Sequence, residues 1–195
     1  MSAYGLVRAV VGPVIRAVWG GRAEGYALPS GPLIVVANHD SLADPFFLGT
    51  AVARPLRFVA KEELWANRLL GRILDALGGI PVRRGRGDLE AMAAAADALR
   101  TGAAVALFPQ GTVLGSDGRP WHRGAARLAL ATGAPIVPVR ILGADAALRP
   151  GSRVPRRARV RVVVGEPIRV EPAKATIATA RDLTHRVREA IAALG

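Results

Sequence analysis

The stretch Leu33 to Phe47, LIVVANHDSLADPFF, passes at once from an apolar run to an asparagine, a histidine, a serine and two aspartates. His39 and Asp44 stand five residues apart, a separation that a tight turn can fold back so that a carboxylate meets one imidazole nitrogen. The other nitrogen is then free to take a proton from an attacking hydroxyl, as in serine hydrolases, with the carboxylate fixing the tautomer and stabilising the imidazolium. General-base catalysis of this kind contributes ~10²- to 10⁴-fold in rate. Two structural readings stand beside it. Asp44 followed by Pro45 is the pattern of a helix N-cap with proline at N1, and His39 alone reads as a loop histidine bonded within its own turn.

The elements that must carry these residues alternate. LIVVA (33 to 37) reads as a buried strand, followed by a helix from near Pro45, a strand at 56 to 60 and a helix from about Glu62 to Leu77 that Gly78 and Gly79 stop. After a short IPV run come a helix over 88 to 100, the strand AVALF (104 to 108), a helix over 124 to 132, and strands at 135 to 141 and 159 to 164. A last helix spans Thr176 to Leu194, with Leu183, Val187 and Ile191 at four-residue spacing. This order predicts one α/β domain: a mostly parallel central sheet flanked by helices, with an N-terminal amphipathic helix. The expected divisions are 1–22 for the N-terminal segment, 30–170 for the core and 174–195 for the C-terminal helix. The stretch GGRAEGYALPSGP (20 to 32) reads as turns.

Ligands of open α/β sheets bind at the carboxyl ends of strands. That rule gathers Asn38, His39 and Asp44 after the first strand, Lys61 after the second, Arg83 and Arg84 after IPV, and Gln110, Gly111 and Thr112 after AVALF. Four strand ends then share one crevice.

The chain has 195 residues, no cysteine and three histidines, so neither a disulfide framework nor a zinc constellation is expected. Neither a secretory cleavage pattern nor an apolar run of about 18 residues is seen, which predicts no leader and no membrane span. The formal charge is +12, carried almost wholly by arginine. Such a surface attracts nucleic acid, anionic lipid or phosphorylated small molecules alike, and a coding preference for arginine would produce the same ratio. Nucleic acid fits poorly: aromatics are 5% and none interleaves with the basic runs as a stacking platform would. No nucleic-acid partner is expected.

Residues 38 to 44, N-H-x-S-x-x-D, resemble the first signature of glycerolipid acyltransferases of the lysophosphatidate acyltransferase type. GGIPVRRG (78 to 85) resembles the second block of that family, FPQGT (108 to 112) the third and APIVPV (134 to 139) the fourth, all in the family's order. The resemblance runs from about residue 30 to 170. It implies transfer of a fatty acyl group from acyl-CoA or an acyl carrier protein to the free hydroxyl of a lysolipid, without an acyl-enzyme, a metal or another cofactor. It makes His39 the general base, Asp44 its partner and Arg84 a phosphate ligand. Asn38, Ser41, Lys61, Gln110, Gly111 and Thr112 become further substrate-binding residues. It also implies a peripheral place on the cytoplasmic face of a membrane.

The third block departs from the family. The family's glutamate is Gln110, its arginine is Val113 and the serine after it is Leu114, so one negative and one positive charge are lost together. An altered acceptor pocket follows, open to another lysophospholipid, a lyso-amino-acid lipid or a glycolipid; a member that binds lipid without turnover is the further alternative.

Two segments carry paired readings. Residues 3 to 19, with Val7, Val10, Val11, Val14, Ile15 and Val18 at helical spacing, form a helix that lies either in a membrane interface or on the chain's own core. In the run RVPRRARVRVVV (153 to 164), valines alternate with arginines. That is a solvated edge strand guarded by charge, or a surface facing headgroups or a carrier protein.

Overall fold

A computed structural model describes residues 3–83, 89–111, 113, 120–152 and 154–195. In chain order the elements are α1 (Ala3–Trp19), β1 (Gly20–Gly25), β2 (Leu33–Ala37), α2 (Asp44–Ala51), β3 (Leu56–Lys61), a 3-10 turn (Glu62–Ala66), α3 (Arg68–Ala76) and β4 (Ile80–Val82). Then follow α4 (Leu89–Arg100), β5 (Ala104–Leu107), α5 (Gly124–Thr132), β6 (Ile136–Leu142), α6 (Ala144–Ala147), β7 (Val160–Val164) and α7 (Ile177–Ala192).

The seven strands make one sheet in the order β1-β7-β6-β2-β5-β3-β4. Every pairing is parallel except β6 with β7. β2 lies at the centre and all five of its residues are buried, which is why it reads as an unbroken apolar run. Its side chains divide by the strand's two-residue period. Leu33, Val35 and Ala37 join one core with Ile15 of α1 and Phe47 and Leu48 of α2. Ile34 and Val36 join the other, with Ala95 and Leu99 of α4, Leu128 of α5 and Leu183, Val187 and Ile191 of α7. The four-residue stripe of the last helix is therefore its core face.

Three local expectations are corrected. Residues 20 to 25, read as turns, form strand β1, because the buried Val160, Val162 and Val164 of β7 need a ladder on their outer side. Gly25 has φ +87 and its Cα faces Val164 so closely that a Cβ would stand 2.3 Å from the Val164 carbonyl oxygen. Glycine is required there, and it removes the apolar alternation by which a strand is recognised. Consequently β7 is an interior strand and β1 is the edge; the edge-strand reading of 159 to 164 fails. The wetted face does exist: Arg161 points out between the buried valines and grips Glu24 of β1 with its Nη2 2.7 Å from Oε2.

The helix expected over 62 to 77 is broken at Asn67. The Asn67 side-chain oxygen accepts from the amides of Leu69 and Leu70, capping α3 afresh. The third correction concerns α2: its N-cap is Ala43, with no side-chain cap, and Asp44 is already helical. The aspartate is turned to a different task.

Candidate active site

The carboxyl ends of β2, β5, β3 and β4 are neighbours in the sheet, so the expected crevice has a physical basis in strand order. At the end of β2 the chain leaves the ladder, and Asn38 substitutes for a backbone partner. Its Oδ1 accepts from the Ile141 amide at 2.7 Å, while its Nδ2 donates to the Ile141 carbonyl at 2.8 Å and to Asp40 Oδ2 at 2.6 Å. Ser41, fully buried, donates from Oγ to the Leu148 carbonyl at 2.8 Å and accepts from the Ala43 amide at 3.2 Å. Both residues, expected to meet substrate, spend their polar atoms on holding the 38–43 loop against β6 and the segment after α6. They position the loop.

Within that loop Asp44 is fully buried, and its Oδ2 accepts three hydrogen bonds: from His39 Nδ1 at 2.9 Å and from the amides of Asp40 and Ser41, each at 2.8 Å. The Asp44 amide returns a bond to the Ser41 carbonyl at 3.1 Å. Burial pushes the Asp44 carboxyl above its usual value, against the pull of the His39, Ser41 and Asp40 hydrogen bonds. An ionised carboxylate only accepts, so Nδ1 of His39 carries the proton in this bond and Nε2 is the basic nitrogen. The imidazole is 16% exposed, enough to meet a substrate while its partner stays dry.

A contact that sequence reasoning missed sets the ring's plane. Phe108, the residue after β5, stacks on His39, and Phe58 of β3 lies nearly parallel to Phe108 with centroids 6.2 Å apart. The only signal was an aromatic at a strand end, which reads equally as core.

After Phe108 the chain makes a turn closed by the Gly111 amide on the Phe108 carbonyl at 3.1 Å. Gly111 has φ +67, so glycine is needed for the turn itself. Gln110 inside that turn is buried, and its Oε1 has no hydrogen-bond partner among the described residues. Lys61 ends β3, half-buried and in register with Val82 of β4. Arg83 is turned to Glu62, with Nε 2.6 Å from Oε2. Arg84 and Thr112 lie outside the described residues.

Comparisons with known proteins give the family. Residues 22–142 match a family model described as acyltransferase. The chain belongs to the acyltransferase family. Its relatives in that family include a chloroplastic 1-acyl-sn-glycerol-3-phosphate acyltransferase of Brassica napus, 30% identical over 72% of this chain and 42% of that one. The 1-acyl-sn-glycerol-3-phosphate acyltransferase of Bacillus subtilis is 26% identical over 69% of this chain and 66% of its own length. A lyso-ornithine lipid O-acyltransferase of Pseudomonas aeruginosa is 34% identical over 58% of this chain and 44% of that one. The chain thus spans about two fifths to two thirds of the length of these relatives. The crystal structure of the 1-acyl-sn-glycerophosphate acyltransferase PlsC from Thermotoga maritima superposes with a TM-score of 0.68 at 26% identity, covering 95% of this chain and 81% of that one. The family resemblance read from the four sequence blocks is therefore correct, as is the α/β fold with a mostly parallel sheet.

Proposed function

We propose that this acyltransferase moves a fatty acyl group from an acyl thioester to the free hydroxyl of a lysophospholipid. The observation that carries the reading is the 2.9 Å contact between His39 Nδ1 and a fully buried Asp44. Nε2 of His39 takes the proton of the acceptor hydroxyl as its oxygen attacks the thioester carbonyl. The carbon–sulfur bond then breaks, the thiolate leaves, and the proton passes from His39 to sulfur. An ester and a free thiol result, with no acyl-enzyme and no redox change. The names of the relatives support a lysophosphatidate-like acceptor, and the thioester donor is the one that the family resemblance implies. Arg84, Gly111 and Thr112 keep the acceptor-phosphate role that the family resemblance gives them.

In the same reading the enzyme works on a membrane surface, as a peripheral protein of the cytoplasmic face. No helix among the described residues is long and apolar enough to cross a membrane. Helix α1 instead turns Val11 and Ile15 towards the body of the protein and leaves Leu6, Val10 and Val14, each more than half exposed, in one outward stripe. A stripe of this kind beside basic side chains suits the interface of an anionic bilayer.

A second reading changes only the acceptor. Gln110 presents a buried carbonyl oxygen with no partner among the described residues, where the family resemblance expects a charged glutamate, and this favours a donor-bearing headgroup such as that of a lyso-amino-acid lipid. The deciding experiment is thiol release from a long-chain acyl-CoA and from an acyl carrier protein, across a panel of lysolipids, for the natural protein and His39→Ala. Acceptor-dependent release lost in the variant supports acyl transfer, and the preferred lysolipid chooses between the two readings. Equal behaviour of both proteins with both donors would refute it.

A further inference from the structure

On the same edge of the sheet as His39, a groove of about 390 Å³ opens between the end of α1 and the approach to β7, lined by Val18, Trp19, Gly20, Arg157, Ala158 and Arg159. Its place follows from strand order. β7 runs antiparallel to β6, so its first residue lies beside the carboxyl end of β6, which adjoins the carboxyl end of β2 where His39 begins its loop. β1 starts at that edge too, Gly20 standing opposite Val160. It is a shallow, open groove rather than an enclosed cavity, so a ligand in it keeps one side in water.

The lining is selective. Trp19 is half-buried and fixed: its Nε1 donates to the Arg156 carbonyl at 2.6 Å, and its ring meets Phe47 edge-on. Arg157 and Arg159 are exposed, and Arg156 adjoins them. Among the described residues no carboxylate lies within 4.0 Å of these three guanidinium groups. Glu24, which feels the field of Arg159, is already held by the fork of Arg161. A fixed indole beside arginines that hold no carboxylate within 4.0 Å is a lining for an aromatic, multiply phosphorylated group.

We infer that this groove holds the 3′-phosphorylated adenine nucleotide of an acyl-CoA donor, with Arg157 and Arg159 on its phosphates and Trp19 beside the base. The inference rests on the acyl-thioester reading above and names its donor. Reach agrees. Two to three strand spacings separate β2 from the groove, roughly 10 to 14 Å at about 4.8 Å each. A pantetheine arm, about as long as four extended residues, spans roughly 14 Å. The thioester then arrives at His39 while the nucleotide stays at the rim, leaving the β5 and β3 side of the crevice to the acceptor.

The test compares acyl-CoA with acyl-pantetheine, which lacks the nucleotide, in the natural protein and in Arg157→Glu/Arg159→Glu. Loss of charge-assisted bonds costs about tenfold each. The preference in kcat/KM for acyl-CoA over acyl-pantetheine is expected to fall at least about tenfold in the double variant, through KM rather than kcat. Calorimetry with adenosine 3′,5′-bisphosphate should show binding to the natural protein that the double variant and Trp19→Ala both weaken. An unchanged preference, or bisphosphate binding that survives the double variant, overturns the assignment. So does a loss confined to an acyl carrier protein donor, which would make the surface a protein dock. If no donor is turned over at all, the acyl-transfer reading fails, and the calorimetry still judges the groove by itself.

Discussion

The imidazole of His39 lies on the ring of Phe108, centroids 4.4 Å apart and planes 25° from parallel. The hydrogen bond to Asp44 fixes one nitrogen of the imidazole, but a single bond leaves the ring free to swing about it. The stack removes that freedom. In the proposed mechanism, a base that must meet a hydroxyl in line needs both restraints, since misplacement by about 1 Å can cost ~10²-fold in rate.

Phe108→Leu should therefore lower kcat by ~10- to 10²-fold with little change in KM. The aromatic contact itself is worth only about 0.5–1.5 kcal/mol, so the variant should still fold, and Phe108→Tyr should restore most of the rate. Steady-state kinetics beside thermal melting checks this; a parallel collapse of melting temperature and rate would make Phe108 a core residue only.

Asp44→Asn keeps the size of the side chain and removes its charge. The amide oxygen can still accept from His39 Nδ1 and from the two backbone amides that share Oδ2, but the negative charge that stabilises the imidazolium is gone, and a fall in kcat of up to ~10⁴-fold is expected, the size seen in the Ser-His-Asp triad. The same variant tests the pH dependence of stability. Because burial raises the folded-state value of this acid, the native chain keeps the proton in a window where the unfolded chain, titrating near pH ~3.9, has lost it. Stability contributed by this group is highest below the unfolded value, falls as pH rises through the window, and is flat above the folded value. Urea titrations in steps from pH 4 to 7 should show the asparagine variant gaining on the natural protein as pH rises.

Gln110 is 8% exposed, and its Oε1 has no partner among the described residues. An unsatisfied buried carbonyl costs about 1–3 kcal/mol, so Gln110→Leu should be neutral or stabilising by up to that amount while activity falls. Gln110→Glu with Val113→Arg should raise activity on lysophosphatidate relative to other lysolipids. Denaturant midpoints and relative turnover across the acceptor panel are the measurements; no shift in preference would end the pocket argument.

The outer stripe of α1 offers a clean separation of binding from folding. Val10 is 63% exposed and Val14 55%, so Val10→Asp with Val14→Asp should change stability by no more than about 0.5 kcal/mol per site. Flotation with vesicles containing anionic lipid should nonetheless fall severalfold, since each charge must leave water to sit among acyl chains. Unchanged flotation would place this face away from the bilayer.

Much of this molecule is legible in one dimension because the causes are local. LIVVA is apolar at every position because a central parallel strand is covered on both faces. His39 and Asp44 are within reach because a strand-to-helix turn of that length closes on itself. Leu183, Val187 and Ile191 mark their helix through its own period. The four sequence blocks named the family on the same footing.

What tertiary structure alone decided involves partners that are distant in the chain. β1 has no apolar alternation, and it is a strand because Val160 to Val164 need an outer ladder. Asn38 and Ser41, read as substrate ligands, hold bonds to Ile141 and Leu148, 103 and 107 residues away, that no local pattern foretells. The stack of Phe108 on His39 exists because β2 and β5 are hydrogen-bonded neighbours, and the arginine groove because β7 doubles back beside β6. Periodicity and turn chemistry act over a few residues and so are written locally. Strand order is settled by the burial of whole faces, and only the assembled sheet sets which side chains meet at its edge.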